Sequence, residues 1–238
     1  MQQLDTKRHD AIFDKEAFQL PVHIVGNGGV GSHVAYMLAK LGVGTRSEVH
    51  LYDGDVIEPH NIANQAYDLA HVGQNKTLAL AEVYNRLSGG GAHVCAHPSF
   101  VTSQGRFSGV VFLCLDSMQA RKEICRSSLW QKKDVALLID PRMDATTAVA
   151  FTIDPNSSDH IERWEERWFP DDEAENAEGC GGHLSVVTAC AITAAIAVQQ
   201  FIGFASKQNG RMANYVRLSL GTWEQTVENW LDAETPIA

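Results

Sequence analysis

A short apolar run, Pro21–Val25, enters a glycine-rich turn, and beyond it apolar positions recur at helical spacing. Val34, Met37, Leu38 and Leu41 share one face of a helix predicted over Gly31–Leu41. Gly42 and Gly44 close it, and Glu48–Tyr52 reads as a second strand ending in Asp53-Gly54-Asp55. After an irregular Asn-rich stretch, Lys76–Leu87 reads as a helix that stops at Ser88-Gly89-Gly90-Gly91. Ala92–Ala96 and Gly109–Leu115 are the third and fourth strands, the fourth nearly all apolar, as buried parallel strands are. Ser117–Trp130 is predicted helical, and Val135–Asp140 is a fifth strand ending at a Pro141 break. Strands alternating with helices predict an α/β fold, Rossmann-type and doubly wound, with a mainly parallel sheet. Thr146–Ile153 reads as a further strand and begins an antiparallel C-terminal extension.

The pattern changes at Asp154. Residues 154–183 form an acid-, Pro-, Ser- and Gly-rich segment, read as a flexible crossover loop with Trp164 and Trp168 in a charged helical patch. Leu184–Phe204 reads as a long, buried apolar helix, and Asn214–Leu220 as the last strand before a polar tail. With no internal repeat, the 238 residues are read as one domain with an N-terminal arm over residues 1–20.

Charge and cysteines narrow the function classes. A net charge of −10 and a pI near 5.4, without a basic stripe, argue against binding a nucleic-acid backbone. Met1–Asp14 lacks the apolar core of a signal peptide, and the run Val186–Val198 is too short and interrupted to predict a membrane span. Five widely spaced cysteines with no C-x-x-C pair predict neither a disulfide framework nor a zinc knuckle, so a reducing, cytoplasmic setting and no structural zinc are expected.

The turn after the first strand reads Gly26-Asn27-Gly28-Gly29-Val30-Gly31, a G-x-G-x-x-G between strand and helix. Gly26, Gly28, Gly29 and Gly31 permit the tight turn and let backbone N–H groups approach phosphates at a helix N-terminus. Asp53, about 20 residues further on at the end of the second strand, is placed to bind ribose hydroxyls. The loop alone leaves NAD and ATP unresolved.

The next segment separates them. Asp53-Gly54-Asp55-Val56-Ile57-Glu58-Pro59-His60-Asn61-Ile62-Ala63-Asn64-Gln65 resembles the D-x-D-x-V-x-x-x-N-L-x-R-Q signature of the ThiF, molybdopterin-synthase adenylyltransferase and ubiquitin-activating families. Val72-Gly73-Gln74-Asn75-Lys76 resembles their V-G-x-x-K element, and Cys114-Leu115-Asp116-Ser117 through Arg121 resembles their ending of the fourth strand. The resemblance covers most of residues 20–130 and is thin beyond Asp140. It implies an ATP-dependent adenylyltransferase that activates a carboxylate, with MgATP as cosubstrate and a homodimer as assembly. The implied substrate is the C-terminal glycine of a ubiquitin-like or sulfur-carrier protein.

The chemistry suits these residue types. Attack of a carboxylate on the α-phosphorus of ATP is catalysed mainly by positioning and by neutralising phosphate charge. Lys76 would supply a cation, Asn61 and Gln65 hydrogen bonds to phosphate oxygens, and Asp116 a hard carboxylate ligand for Mg²⁺. Each has a plainer alternative: Asn61 and Gln65 satisfying loop backbone, Lys76 solvated in the first turn of its helix, Asp116 capping the next helix. Asp55 divides between loop hydrogen bonding and ligand contact.

The chain departs from the signature at Asn64, where the family has arginine, which leaves one phosphate-binding cation to be replaced by Arg8 or Arg121. Arg8 resembles an N-terminal arginine that reaches the partner subunit's ATP in dimeric relatives. Cys180, in Glu178-Gly179-Cys180-Gly181-Gly182-His183, resembles the crossover-loop cysteine to which relatives pass the activated carboxylate, with His183 assisting deprotonation. The alternative is an ordinary loop cysteine. Cys114 and Cys190 read as packing residues, and the tryptophan pair as helix packing. Two rival functions stand beside adenylation: a nicotinamide-dependent oxidoreductase, and a non-catalytic partner subunit of an activating enzyme.

Overall fold

The computed structural model describes residues 4–101, 105–171, 186–206 and 212–230. Strands β1 (Val22–Val25), β2 (Glu48–Tyr52), β3 (His93–His97), β4 (Gly109–Leu113), β5 (Val135–Met143), β6 (Thr147–Ile153), β7 (Tyr215–Ser219) and β8 (Gln225–Glu228) form one sheet. Its order is β3-β2-β1-β4-β5-β6-β7-β8. The first five pair in parallel, and β5 through β8 pair antiparallel. The doubly wound sheet and its antiparallel extension are therefore as the alternation predicts. Strand order reverses between β1 and β4, where α/β sheets open a crevice at the carboxyl ends of their strands.

Helices α1 (Gly29–Leu41), α2 (Lys76–Leu87) and α5 (Val187–Ala205) lie on one face. Their apolar sides bury against Ile24, Val49, Leu51, Val110 and Phe112 in the larger core. On the other face α3 (Met118–Ile124) and α4 (Ser158–Glu165) enclose a second core with Val111, Leu113, Leu138 and Trp164. Apolar side chains from both faces of each central strand are thus removed from water, each such side chain contributing about 1.5–3 kcal/mol.

Three expectations shift. β5 does not stop at Pro141. Its pairing with β4 ends at Ile139, so residue 141 needs no N–H on that side, while Pro141 stands opposite Ala150 of β6. The helix after β4 begins at Met118 and loosens over Cys125–Leu129, where Trp130 N–H donates to Cys125 O (2.8 Å), a π turn. In the segment after Asp154 the helical patch expected around Trp164 is α4, which starts with Ser157 capping His160 N–H. The polar tail contains β8.

α5 is 19 residues long and, by length and apolar composition, sufficient to cross a membrane, longer than the run Val186–Val198 suggests. Ala189, Cys190, Ala194, Ala197 and Phe201 on one side of it are buried, and the helix packs against α1, β5 and β6.

Candidate nucleotide site

The glycine turn joins β1 to α1 with no room for side chains at two positions. Gly26 has φ +86°, and a Cβ there would stand 2.4 Å from Cys114 O at the end of β4. A Cβ on Gly31 would stand 1.9 Å from Gly26 O. Gly29 is pressed by α5, since its Cβ would meet Cys190 Sγ at 2.8 Å. Gly28 differs: among the described residues nothing lies within 4 Å of a Cβ built there. As N-cap of α1 it offers no side chain to the first-turn amides, so no described side chain caps the positive end of that helix at this position.

Asp53 is built into this turn. Its Oδ2 accepts Asn27 N–H (2.7 Å) and its Oδ1 accepts Asp55 N–H (2.9 Å). Asn27 donates to Thr77 Oγ1 (3.0 Å), and Thr77 donates to Asp53 O (2.9 Å), tying the start of α2 to the end of β2. Tyr67 Oη donates to Asn27 O (2.8 Å), and Ser32 Oγ accepts Ala66 N–H (3.0 Å). These bonds draw the Pro59–Ala63 turn and the residues after it against the first turns of α1.

Asn61 Oδ1 accepts Glu58 N–H (2.9 Å) in a capping box, which leaves its amide nitrogen as the donor end. Gln65 carries a buried amide oxygen with no hydrogen-bond partner among the described residues. Because amide oxygen and nitrogen exchange by a half-turn, this is unused hydrogen-bonding capacity beside α1. Lys76 is 9% exposed, so it is not a solvated first-turn lysine, and its Nζ donates to Asp55 Oδ2 (2.8 Å). Asp55 therefore serves the loop through its backbone and orients the cation through its carboxylate.

Asp116 is exposed just beyond β4, on the chain whose Cys114 abuts Gly26. It does not cap α3: Ser117 does, accepting Ala120 N–H (3.1 Å). Asp171 adds to that cap, accepting Met118 N–H (2.5 Å), Gln119 N–H (3.3 Å) and the Ser117 hydroxyl (2.9 Å). Burial pushes the Asp171 carboxyl upward, but these hydrogen bonds and Lys122 outweigh it and hold the group below the usual range.

Arg121 is not a phosphate ligand. It is 4% exposed and spent on Asp140 and the carbonyls of Leu113, Leu115 and Pro141. Asp140, fully buried, also accepts from Arg142 Nε (2.8 Å) and Trp164 Nε1 (2.9 Å). Burial, then the other guanidinium, pulls Arg121 down to about 9. Of the two cations considered as replacements for the missing arginine, only Arg8 is exposed. Cys114 and Cys190 pack as expected, burial pushing the Cys114 thiol up to about 12. Trp164 and Trp168 meet edge to face at 4.6 Å, a packing contact. Cys180 and His183 lie outside the described residues.

A glycine turn at a helix N-terminus, an acidic residue closing the second strand and a crevice at the strand-order switch define a nucleotide-binding protein of the Rossmann class. The chain matches the ThiF family over residues 10–230 and belongs to it. A 64-residue stretch is 34% identical to the ATP-dependent ubiquitin transferase-like protein Cap2 of Vibrio cholerae, covering 26% of this chain and 11% of Cap2. Among solved structures the fold is similar to PaaA (TM-score 0.70, 20% identity, 94% of this chain and 68% of PaaA). It is also similar to E. coli MccB solved with ATP (TM-score 0.64, 17% identity, 92% of this chain and 66% of MccB). The chain thus spans about a tenth of Cap2 and about two thirds of MccB.

Proposed function

We propose that this protein adenylates a carboxylate with MgATP, as a homodimer in the cytoplasm. The observation that carries the reading is the hydrogen-bonded frame that ties the elements bearing Lys76 and Gln65 to one glycine turn: Tyr67 Oη contacts both Asn27 O (2.8 Å) and Lys76 O (3.2 Å), and Ser32 of α1 accepts Ala66 N–H (3.0 Å), next to Gln65. A nicotinamide enzyme shares the turn and Asp53 but has no use for Lys76 and Asp116. MccB is known in complex with ATP and also with AMPCPP and MccA, and Cap2 is described as ubiquitin transferase-like, which supports the same direction.

In this reading the triphosphate lies over Gly28, with Gly26, Gly29 and Gly31 shaping the turn. Lys76, held by Asp55, and Asn61 with Gln65 neutralise and orient its oxygens. Asp53 faces the ribose, and Arg8 supplies a further cation to the partner's site. Asp116, an exposed carboxylate just beyond β4, would be the hard oxygen ligand for the Mg²⁺ that accompanies ATP and would offset charge on its phosphates. A substrate carboxylate oxygen attacks the α-phosphorus, the α–β phosphoanhydride bond breaks, and pyrophosphate leaves with its electron pair. The acyl group is the C-terminal glycine of a ubiquitin-like or sulfur-carrier protein, and Cys180 is the candidate acceptor for a later thiol step.

The test is transfer of label from α-³²P ATP to a ubiquitin-like carrier with a free C-terminal glycine. Labelled acyl-AMP that disappears when the carrier's C-terminus is amidated is the expected result. No nucleotide transfer, or transfer indifferent to amidation, contradicts it.

A further inference from the structure

The geometry points to a second site, for a Zn²⁺-class transition-metal dication, formed by Glu48, His50 and Cys95 on the sheet face opposite α1 and α2. One ligand atom from each comes within 4.8 Å of the others. A tetrahedral zinc with S, N and O ligands needs them roughly 3.3–3.8 Å apart, from bond lengths of about 2.0–2.3 Å. Glu48 is exposed and free to close the remaining gap, because its side chain is 62% accessible against 17% for His50.

Strand register builds the cluster. β2 and β3 pair in parallel with His50 opposite Cys95 and Glu48 opposite His93. Alternation then presents Glu48-x-His50-x-Tyr52 and His93-x-Cys95-x-His97 from neighbouring strands on one face. Val49 and Leu51 turn the other way, into the core beneath α1 and α2.

The imidazole is already oriented as a ligand. His50 Nε2 lies 3.3 Å from Glu48 Oε2, while its Nδ1 lies 3.1 Å from His97 Nε2. With metal on Nε2, Nδ1–H donates to His97, the outer hydrogen bond that metal-bound histidines make. The ring is clamped by stacking on His23 (4.5 Å, 9°) and against His97 (5.4 Å).

Charge agrees. Cys95 loses its proton to solvent on binding, and thiolate plus carboxylate cancel the dication around a neutral imidazole. Three protein ligands leave a fourth position open to water, and thiolate with imidazole selects zinc-like ions over Mg²⁺. The missing C-x-x-C pairs do not bear on this cluster, which two strands assemble.

The test uses chelator-treated full chain titrated with CoCl₂ without nucleotide, so its outcome is independent of adenylation. One equivalent of Co²⁺ with a near-ultraviolet thiolate-to-cobalt charge-transfer band is expected. Cys95→Ser should abolish the band. His97→Ala, a positioning change, should keep it while weakening affinity about 10–100-fold. Absence of the band at saturating Co²⁺, or its survival in Cys95→Ser, overturns the site. Should Cys95→Ser lose its far-ultraviolet circular dichroism, Glu48→Gln decides, since its side chain is exposed. Affinity reduced about tenfold or more supports the site, and unchanged affinity overturns it.

Discussion

One methyl group at Gly31 would bring a Cβ to 1.9 Å from Gly26 O, whereas the same methyl at Gly28 meets none of the described residues within 4 Å. The two glycines therefore do different work. At Gly31 the turn must shift, at a cost of order 1–3 kcal/mol, and the backbone amides of the turn move with it. Gly31→Ala should lower the denaturation midpoint and lose nucleotide binding. Gly28→Ala should keep wild-type stability yet weaken MgATP, because its methyl projects where phosphate would lie. Chemical denaturation alongside calorimetry separates these outcomes, and equal loss of stability in both variants would contradict the contrast. Lys76 shows the limit of reading a residue from sequence. Its spacing in V-G-x-x-K marks it, but its near-complete burial and its pairing with Asp55 come from the fold of the intervening loop.

Between elements, Asp140 clamps three units. It joins Arg121 of α3, Arg142 of β5 and Trp164 of α4, with none of its own surface exposed. Removing it leaves two buried guanidinium groups uncompensated, a change of about 3–5 kcal/mol and a large share of a domain's stability. Asp140→Ala should show that loss by urea denaturation; a change under ~1 kcal/mol would mean that the arginines reach water instead. None of this was legible in the chain. A valine-rich strand or the glycine turn announces itself through neighbours in sequence, and those elements were read correctly. The Arg121–Asp140 pair spans 19 residues and depends on β4 lying beside β5. β8 was missed because Gln225–Glu228 is a polar edge strand with little buried surface, and so carries almost no hydrophobic signal. The Glu48–His50–Cys95 cluster left a trace, alternation of ligand types on two strands, which becomes meaningful only when parallel register sets them side by side.

Across the whole molecule, buried neutral histidines make the fold acid-sensitive. His160 Nδ1 accepts Asp154 N–H (3.1 Å), and burial lowers its pKa despite the opposing pull of Asp154 and Asp159. Burial lowers His33 likewise, against the bond to Asn64 O. A folded pKa below the unfolded value near 6.5 means the unfolded chain takes up protons first. Their contribution is complete above pH 6.5 and is lost as pH falls through the lower folded values. Unfolding free energy should therefore decline from pH 7 to pH 5, with a shallower decline in His160→Gln; identical slopes would remove His160 from the account.

The molecule as a whole holds a glycine turn and a set of candidate phosphate ligands near the switch point of one sheet, and the central claim is that these bind MgATP for adenylation. Calorimetric titration of the purified chain with ATP plus Mg²⁺, and separately with NAD and NADH, tests it most directly. The account predicts saturable MgATP binding, weakened about 10²-fold or more in Lys76→Ala and lowered in Asp116→Ala, with no response to either dinucleotide. Tight dinucleotide binding with indifference to ATP would contradict it and leave only the fold.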